Sequence, residues 1–281
     1  MLDLWYGLVN TLLPFQWVEY TFMKNALLAV LLATPLFGIL STMVVSSRMA
    51  FFSDSLGHGA FTGIAIGTLV GGISPLWGII LFSVTFAILI TIIKNTSKTS
   101  PDTIIGVFAS TAVALGLVIM SFGGGFNKFS SFLIGDLLSI APSEILMLLG
   151  IFVGIILLWV FIFNKLLIIS INPSLAASRG INTLLIEILF ASALAVVVAM
   201  TIHWVGLLII NSLLVLPAAA ARNITNNVKQ YHFVSVGFAV LSGVTGLILS
   251  YYLNTATGST IVLISAMLYF ATFTIRGRFL G

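Results

Sequence analysis

Ile145-Leu-Met-Leu-Leu-Gly-Ile-Phe-Val-Gly-Ile-Ile-Leu-Leu-Trp-Val-Phe-Ile-Phe163 runs for nineteen residues without one charged side chain. A helix of about 20 apolar residues crosses the hydrocarbon core of a bilayer, so this stretch predicts a transmembrane helix over 143–163. The rest of the chain repeats the pattern. Further spans are predicted at 26–46, 57–73, 75–93, 103–122, 184–202, 204–221, 232–252 and 258–275. The second and seventh are short enough to be re-entrant, so eight or nine crossings are expected. Over 281 residues the sequence is 60% hydrophobic and 6% charged, with a mean hydropathy of +1.23. The expected fold is an all-α polytopic membrane protein forming one domain over 1–281. A transmembrane barrel would instead need alternating segments of about 10 residues, and none occur.

The basic residues set the expected orientation. Loops on one side carry Arg48, Lys94, Lys98, Lys165, Arg179, Arg222, Lys229, Arg276 and Arg278, and the other side carries Lys24 and Lys128. By the excess of cations in cytoplasmic loops, the first set and the C-terminus are predicted to be cytoplasmic. The scattered cations form no patch for nucleic acid. Residues 1–22, with Trp5, Tyr6, Phe15 and Trp17, read as an interfacial segment. They lack the basic start and small-residue cleavage site of a signal peptide. Cysteine is absent, which removes disulfides and thiolate metal ligation.

Within this apolar chain, Ser53-Asp-Ser-Leu-Gly-His-Gly-Ala-Phe-Thr-Gly63 places Asp54 and His58 four residues apart. On a helix they share a face. Carboxylate and imidazole donors suit Zn²⁺ and Mn²⁺, and ionisable groups inside a membrane span are costly unless they serve a function. A hydrogen-bonded pair between helices is the structural alternative. Two ligands are few for a stable site.

The longest basic-side connection, 164–183, contains Asn172-Pro-Ser-Leu-Ala-Ala-Ser-Arg-Gly-Ile-Asn182. Asn172 suits an N-cap, Pro173 a first helical position and Gly180 a C-terminal stop. That predicts a short exposed helix with a docking role or, more plainly, an interfacial connector.

These segments resemble the membrane permeases of the ABC-3 family of manganese, zinc and iron importers. The resemblance rests on Arg48 to Ala65, 172–182, Val205-Gly-Leu-Leu-Ile-Ile-Asn-Ser-Leu-Leu-Val-Leu-Pro-Ala-Ala-Ala-Ala-Arg222 and Asn254-Thr-Ala-Thr-Gly-Ser-Thr-Ile-Val262. Weaker echoes are Ile105-Gly106, Ala114-Leu-Gly116 and Gly135-Asp136. It implies a type II ABC importer-like permease in the bacterial plasma (inner) membrane, paired with a second copy. It further implies two cytoplasmic ATPase subunits holding ATP-Mg, and an extracytoplasmic metal-binding protein. This chain would bind no cofactor and carry no catalytic site; Zn²⁺ or Mn²⁺ would be cargo. Asp54 and His58 would contact the metal. The coupling helix would comprise Asn172, Pro173, Ser174, Leu175, Ala176, Ala177, Ser178, Arg179 and Gly180. The setting Gly57-His58-Gly59 departs from relatives, which more often carry Ser or Ala, and implies adaptable ligand geometry.

Secondary candidates are weaker. His203, expected at an outer turn, is a possible receiver of the metal or a solvated histidine. His232 is expected at an interface. Asp136 and Glu144 lie near an outer 123–142 loop, as an electronegative mouth or as ordinary polar residues. Glu187 is expected to pair with a nearby cation such as Arg179. Asn211 and Pro217 are expected to kink a span and free a carbonyl. No phosphate-binding glycine loop followed by Lys-Ser or Lys-Thr is present, so ATP is not bound here. Protease and hydrolase motifs are also absent. Two alternatives stand beside this reading: an importer of a metal chelate such as haem, cobalamin or a siderophore, which would not need the Asp–His pair, and an ion-gradient-driven transporter, which would usually show inverted repeats.

Overall fold

A computed structural model describes residues 2–70, 75–123 and 135–276. Lys128, Arg278 and the Gly124-Gly125 part of the outer loop lie outside them. Among the described residues the chain is all-helical: α1 (Leu2–Leu12), α2 (Thr21–Ser46), α3 (Ala50–Val70), α4 (Pro75–Thr96), α5 (Pro101–Gly123), α6 (Pro142–Ile171), α7 (Pro173–Ser178), α8 (Thr183–Val205), α9 (Leu207–Arg222), α10 (Val228–Leu253) and α11 (Thr257–Ile275). Seven of these, α2, α4–α6, α8, α10 and α11, are long and apolar enough to cross a membrane. The remaining two candidates are α3 and α9. The former has 21 residues and the latter 16, so at about 1.5 Å per residue they reach roughly 30 and 24 Å.

Two boundaries differ from the sequence expectation. The second span begins at Ala50 rather than 57, so Asp54 lies inside the helix instead of ahead of it. The low hydropathy of Ser53 to His58 conceals this helix start from a hydropathy reading. The seventh span starts at Leu207, because Gly206 has φ 89° and breaks the chain between α8 and α9. A side chain would be strained at that φ, which glycine adopts freely.

The core is built around α2 and α8, which are buried on nearly all sides. Met23, Leu36, Phe37 and Leu40 of α2 and Leu194, Val198, Ala199 and Ile202 of α8 are all 0% exposed. Helices in lipid gain nothing from hiding apolar surface and associate instead through close packing of small residues. The α2–α10 seam follows that rule. A Cβ on Gly38 would lie 2.6 Å from the Cα of Val236. Beside it the Ser235 hydroxyl donates to the Gly38 carbonyl at 2.8 Å and lies 3.1 Å from the Ser41 hydroxyl. Gly38→Ala is therefore expected to push the two helices apart and destabilise the protein by about 1–3 kcal/mol, read as a lower unfolding temperature in detergent.

The ends of these helices sort onto two faces. One cavity is lined together by Arg48 after α2, Lys94 at the end of α4, Leu166 and Ser170 of α6, Pro173 of α7, Glu187 of α8 and Arg222 of α9. At the other face the start of α2 holds α1: the Trp5 indole donates to the Lys24 carbonyl at 3.0 Å and the Tyr6 hydroxyl to the Asn25 side chain at 2.7 Å. Tyr20 ahead of α2 packs beside Tyr251 of α10. On α1 itself, Leu4, Leu8 and Leu12 are exposed at four-residue spacing.

Candidate metal pathway

The Asp54–His58 pair sits on α3, which packs against α5, α4, α9 and α8. Thr62 ties α3 to α5 by donating to the Ala112 carbonyl. Gly59 is explained by packing rather than by looseness, since a Cβ there would come within 2.9 Å of the Phe86 ring. That ring in turn meets Phe82 and Phe108. The backbone carrying the pair is thus a continuous helix wedged among neighbours.

His58 Nε2 and Asp54 Oδ2 are 3.5 Å apart. That is longer than an ordinary N–H···O hydrogen bond. Two donors about 2.1 Å from one tetrahedral metal stand about 3.4 Å apart. The separation is that of a loose ion pair, and it is also open enough for the two donors to reach one ion. Their side chains are 34% and 47% exposed, His58 first, and they lie on the same open face as Phe51, one turn earlier and 66% exposed. A carboxylate and an imidazole cannot face lipid cheaply, so with α3 in the bilayer as the sequence predicts, their face would open on water or on another polypeptide. Among the described residues, no third His, Asp or Glu joins them in a metal-sized cluster.

The structure brings together a second pair that sequence reasoning had kept apart. His203 lies in the last turn of α8 rather than in an outer loop, with its Nδ1 3.9 Å from Glu144 Oε1 at the start of α6. The Asp136 amide donates to the His203 carbonyl at 3.4 Å. Glu144 Oε2 accepts from the Ala141 amide at 2.8 Å, and the Asp136 side chain accepts from the Leu138 amide at 3.1 Å. No periodicity could have foretold this meeting, because 59 residues separate Glu144 from His203.

His232 lies in the second turn of α10 and packs between helices. Its Nδ1 donates to the Val228 carbonyl at 2.9 Å, its Nε2 lies 2.8 Å from the Thr42 hydroxyl, and Trp159, Phe163 and Tyr231 surround its ring. It joins α10 to α2 and α6. Glu187 pairs with Lys94 at 2.8 Å, not with Arg179, and also accepts from Asn95 at 2.8 Å. On α9, the Asn211 side-chain oxygen is buried and finds no hydrogen-bond partner, and Pro217 lies inside the helix. A buried orphan acceptor is costly and calls for a physical reason.

The 172–182 segment folds as its sequence predicts. The Asn172 side chain accepts from the Leu175 amide at 3.1 Å, Pro173 opens α7, and Gly180 closes it at φ 74°. Every residue of 172–180 except Ala176 is exposed, Leu175 at 43%. An apolar side chain left open on a short polar helix marks a surface suited to a partner.

Comparison with known proteins accounts for this arrangement. The profile of the ABC 3 transport family matches residues 19–276. The chain belongs to that family. The manganese import system permease ScaB of Streptococcus parasanguinis is 29% identical over 260 residues, covering 92% of each chain. The high-affinity zinc uptake membrane protein ZnuB of Buchnera aphidicola is 31% identical over 244 residues, covering 86% of this chain and 93% of its own. The solved PsaBC complex from Streptococcus pneumoniae superposes with a TM-score of 0.81 at 27% identity, covering 100% of this chain and 99% of that one. A putative metal-chelate ABC transporter in an inward-facing conformation shares the fold, with a TM-score of 0.67 at 14% identity. The chain is accordingly a multi-pass membrane permease of the ABC type.

Proposed function

We propose that this permease works in the bacterial plasma membrane as a homodimer, importing Zn²⁺ or Mn²⁺ at the expense of ATP hydrolysed by two partner subunits on the basic-residue side. The single observation that supports metal contact most is the 3.5 Å separation of Asp54 Oδ2 and His58 Nε2 on an open face of α3. Two copies facing across a two-fold axis would offer two carboxylates and two imidazoles, a sufficient but adjustable set for an ion in transit. Cargo held in this way is a bare ion. The relatives with manganese and zinc names favour that reading over a bulky chelate, and the chelate-type neighbour shares only the fold.

Glu144 and His203 would receive the ion on the opposite face, where a metal-binding protein would deliver it. His203→Ala is expected to lower uptake several-fold at limiting metal and less at saturating metal, because a reception site affects capture before it affects passage. The test of the whole reading is uptake of Zn²⁺ and Mn²⁺ by cells expressing the permease with its ATPase and binding protein. ATP-dependent accumulation of at least one of these metals supports it. Accumulation of a chelate, with neither free ion taken up, would refute it.

A further inference from the structure

The cavity at the basic-residue face contains charge that the transport pathway does not use. It encloses about 440 Å³ between the α2–α3 corner and α7, and a second space of about 330 Å³ shares Ser47, Arg48, Met49 and Lys94 with it. Arg48, Lys94 and Arg222 line it, together with the hydroxyls of Ser46, Ser47 and Ser170. Glu187 is engaged by Lys94, and Asp102 lines the second space. Among the described residues, no carboxylate lies within ion-pair distance of Arg48 or Arg222. Below the polar rim, the buried side chains of Leu166, Ile169 and Phe190 form an apolar floor.

The backbone at Arg48 is the second, independent observation. The Met49 amide donates to the Val44 carbonyl at 2.8 Å and the Arg48 amide to the Val45 carbonyl at 3.3 Å, with Arg48 at φ 55°. This is the Schellman helix end, whose left-handed position normally falls to glycine. The same protein makes that choice at α7, where Gly180 and Ile181 donate to Ala177 and Ala176 with Gly180 at φ 74°. At the end of α10 the left-handed residue is Asn254, the other type that tolerates it. Arginine is the odd choice, and a side chain kept in a strained backbone points to a use for that side chain.

We infer that this cavity binds a phosphate group, carried by an acidic phospholipid or by a soluble phosphate. Two guanidinium groups free of carboxylates, with the Ser47 hydroxyl beside them, match the donor demand of phosphate oxygens; the Ser170 hydroxyl is already given to the Leu167 carbonyl and that of Ser46 is shared with Tyr231. The position at converging helix ends, basic above and apolar below, is where transmembrane proteins hold lipid head groups. The inference depends on the proposed topology only for which leaflet supplies the lipid, and its test involves no metal transport.

The test is thermal unfolding of the purified full-length permease in detergent with phosphatidylglycerol, phosphatidylcholine, inorganic phosphate or glutamate. A ligand that binds only the folded state raises the unfolding temperature. Phosphatidylglycerol, inorganic phosphate or both are expected to raise it, and phosphatidylcholine is not. A response to phosphatidylglycerol alone identifies a lipid, and a response to inorganic phosphate alone a soluble ligand. Arg222→Gln is expected to weaken the effect at least about tenfold, and Arg276→Gln, at an exposed position outside the cavity, to leave it intact. Arg48→Gly is the sharper variant: with its backbone relaxed it should unfold no lower than the wild type without ligand, yet lose the response. The inference is overturned if neither phosphate ligand acts, if Arg48→Gly and Arg222→Gln respond like the wild type, or if glutamate alone acts. The last result would assign the cavity to an acidic side chain of a partner.

Discussion

Alanine at either Asp54 or His58 is expected to reduce metal uptake by at least about tenfold at unchanged membrane expression. Two residues per copy supply the proposed ligand set, so one substitution removes two of four ligands in a dimer. Altering even the residues that orient metal ligands typically costs 10–100-fold in affinity or activity, and losing the ligands themselves should cost no less. The protein should still fold, because both side chains are partly exposed and their mutual contact is loose at 3.5 Å. Asp54→Asn separates charge from shape: it keeps an oxygen donor, so residual uptake above that of Asp54→Ala is expected. Transport assays on matched membrane fractions check both. Full uptake by the two alanine variants would make the pair structural.

The second large effect is expected at α7. Leu175→Asp should abolish uptake while leaving the permease inserted and folded, because Leu175 is exposed and an added charge there costs the free protein little. In the proposed assembly that leucine faces the ATPase, where a buried unpaired charge costs several kcal/mol. Co-purification of the ATPase with the permease is the readout, and it should be lost together with uptake. Ala176→Asp is the contrasting variant. Ala176 is fully buried within the permease itself, so this change should destabilise the permease rather than only its assembly. A Leu175→Asp permease that retains both its ATPase and its uptake would remove α7 from the coupling interface.

Parts of this protein are readable from sequence because the responsible physics is local. The uncharged run of α6 and the cap, proline and glycine of α7 each fix their own structure within a few residues. The spacing of Asp54 and His58 puts them on one face if both are helical, and the structure adds the early helix start at Ala50 that makes them so, together with their separation and exposure. What could not be read depends on contacts between remote segments. Glu144 meets His203 because α6 and α8 converge at one face. Glu187 takes Lys94 rather than the sequence-near Arg179, because α4 packs along α8. The partners of His232, Thr42, Trp159 and Phe163, come from two other helices and leave no mark in the sequence around it. The left-handed backbone at Arg48 was concealed by its residue type, since the sequence signal for such a helix end is glycine.

The most direct measurement is the amount of metal bound by the purified permease in lipid nanodiscs, titrated with Zn²⁺ or Mn²⁺ and repeated with His58→Ala. One ion per two chains is expected, with nitrogen and oxygen ligands by X-ray absorption and binding lost in the variant. Absence of a bound ion, or binding unchanged by His58→Ala, would contradict the assignment of Asp54 and His58 as the metal contact.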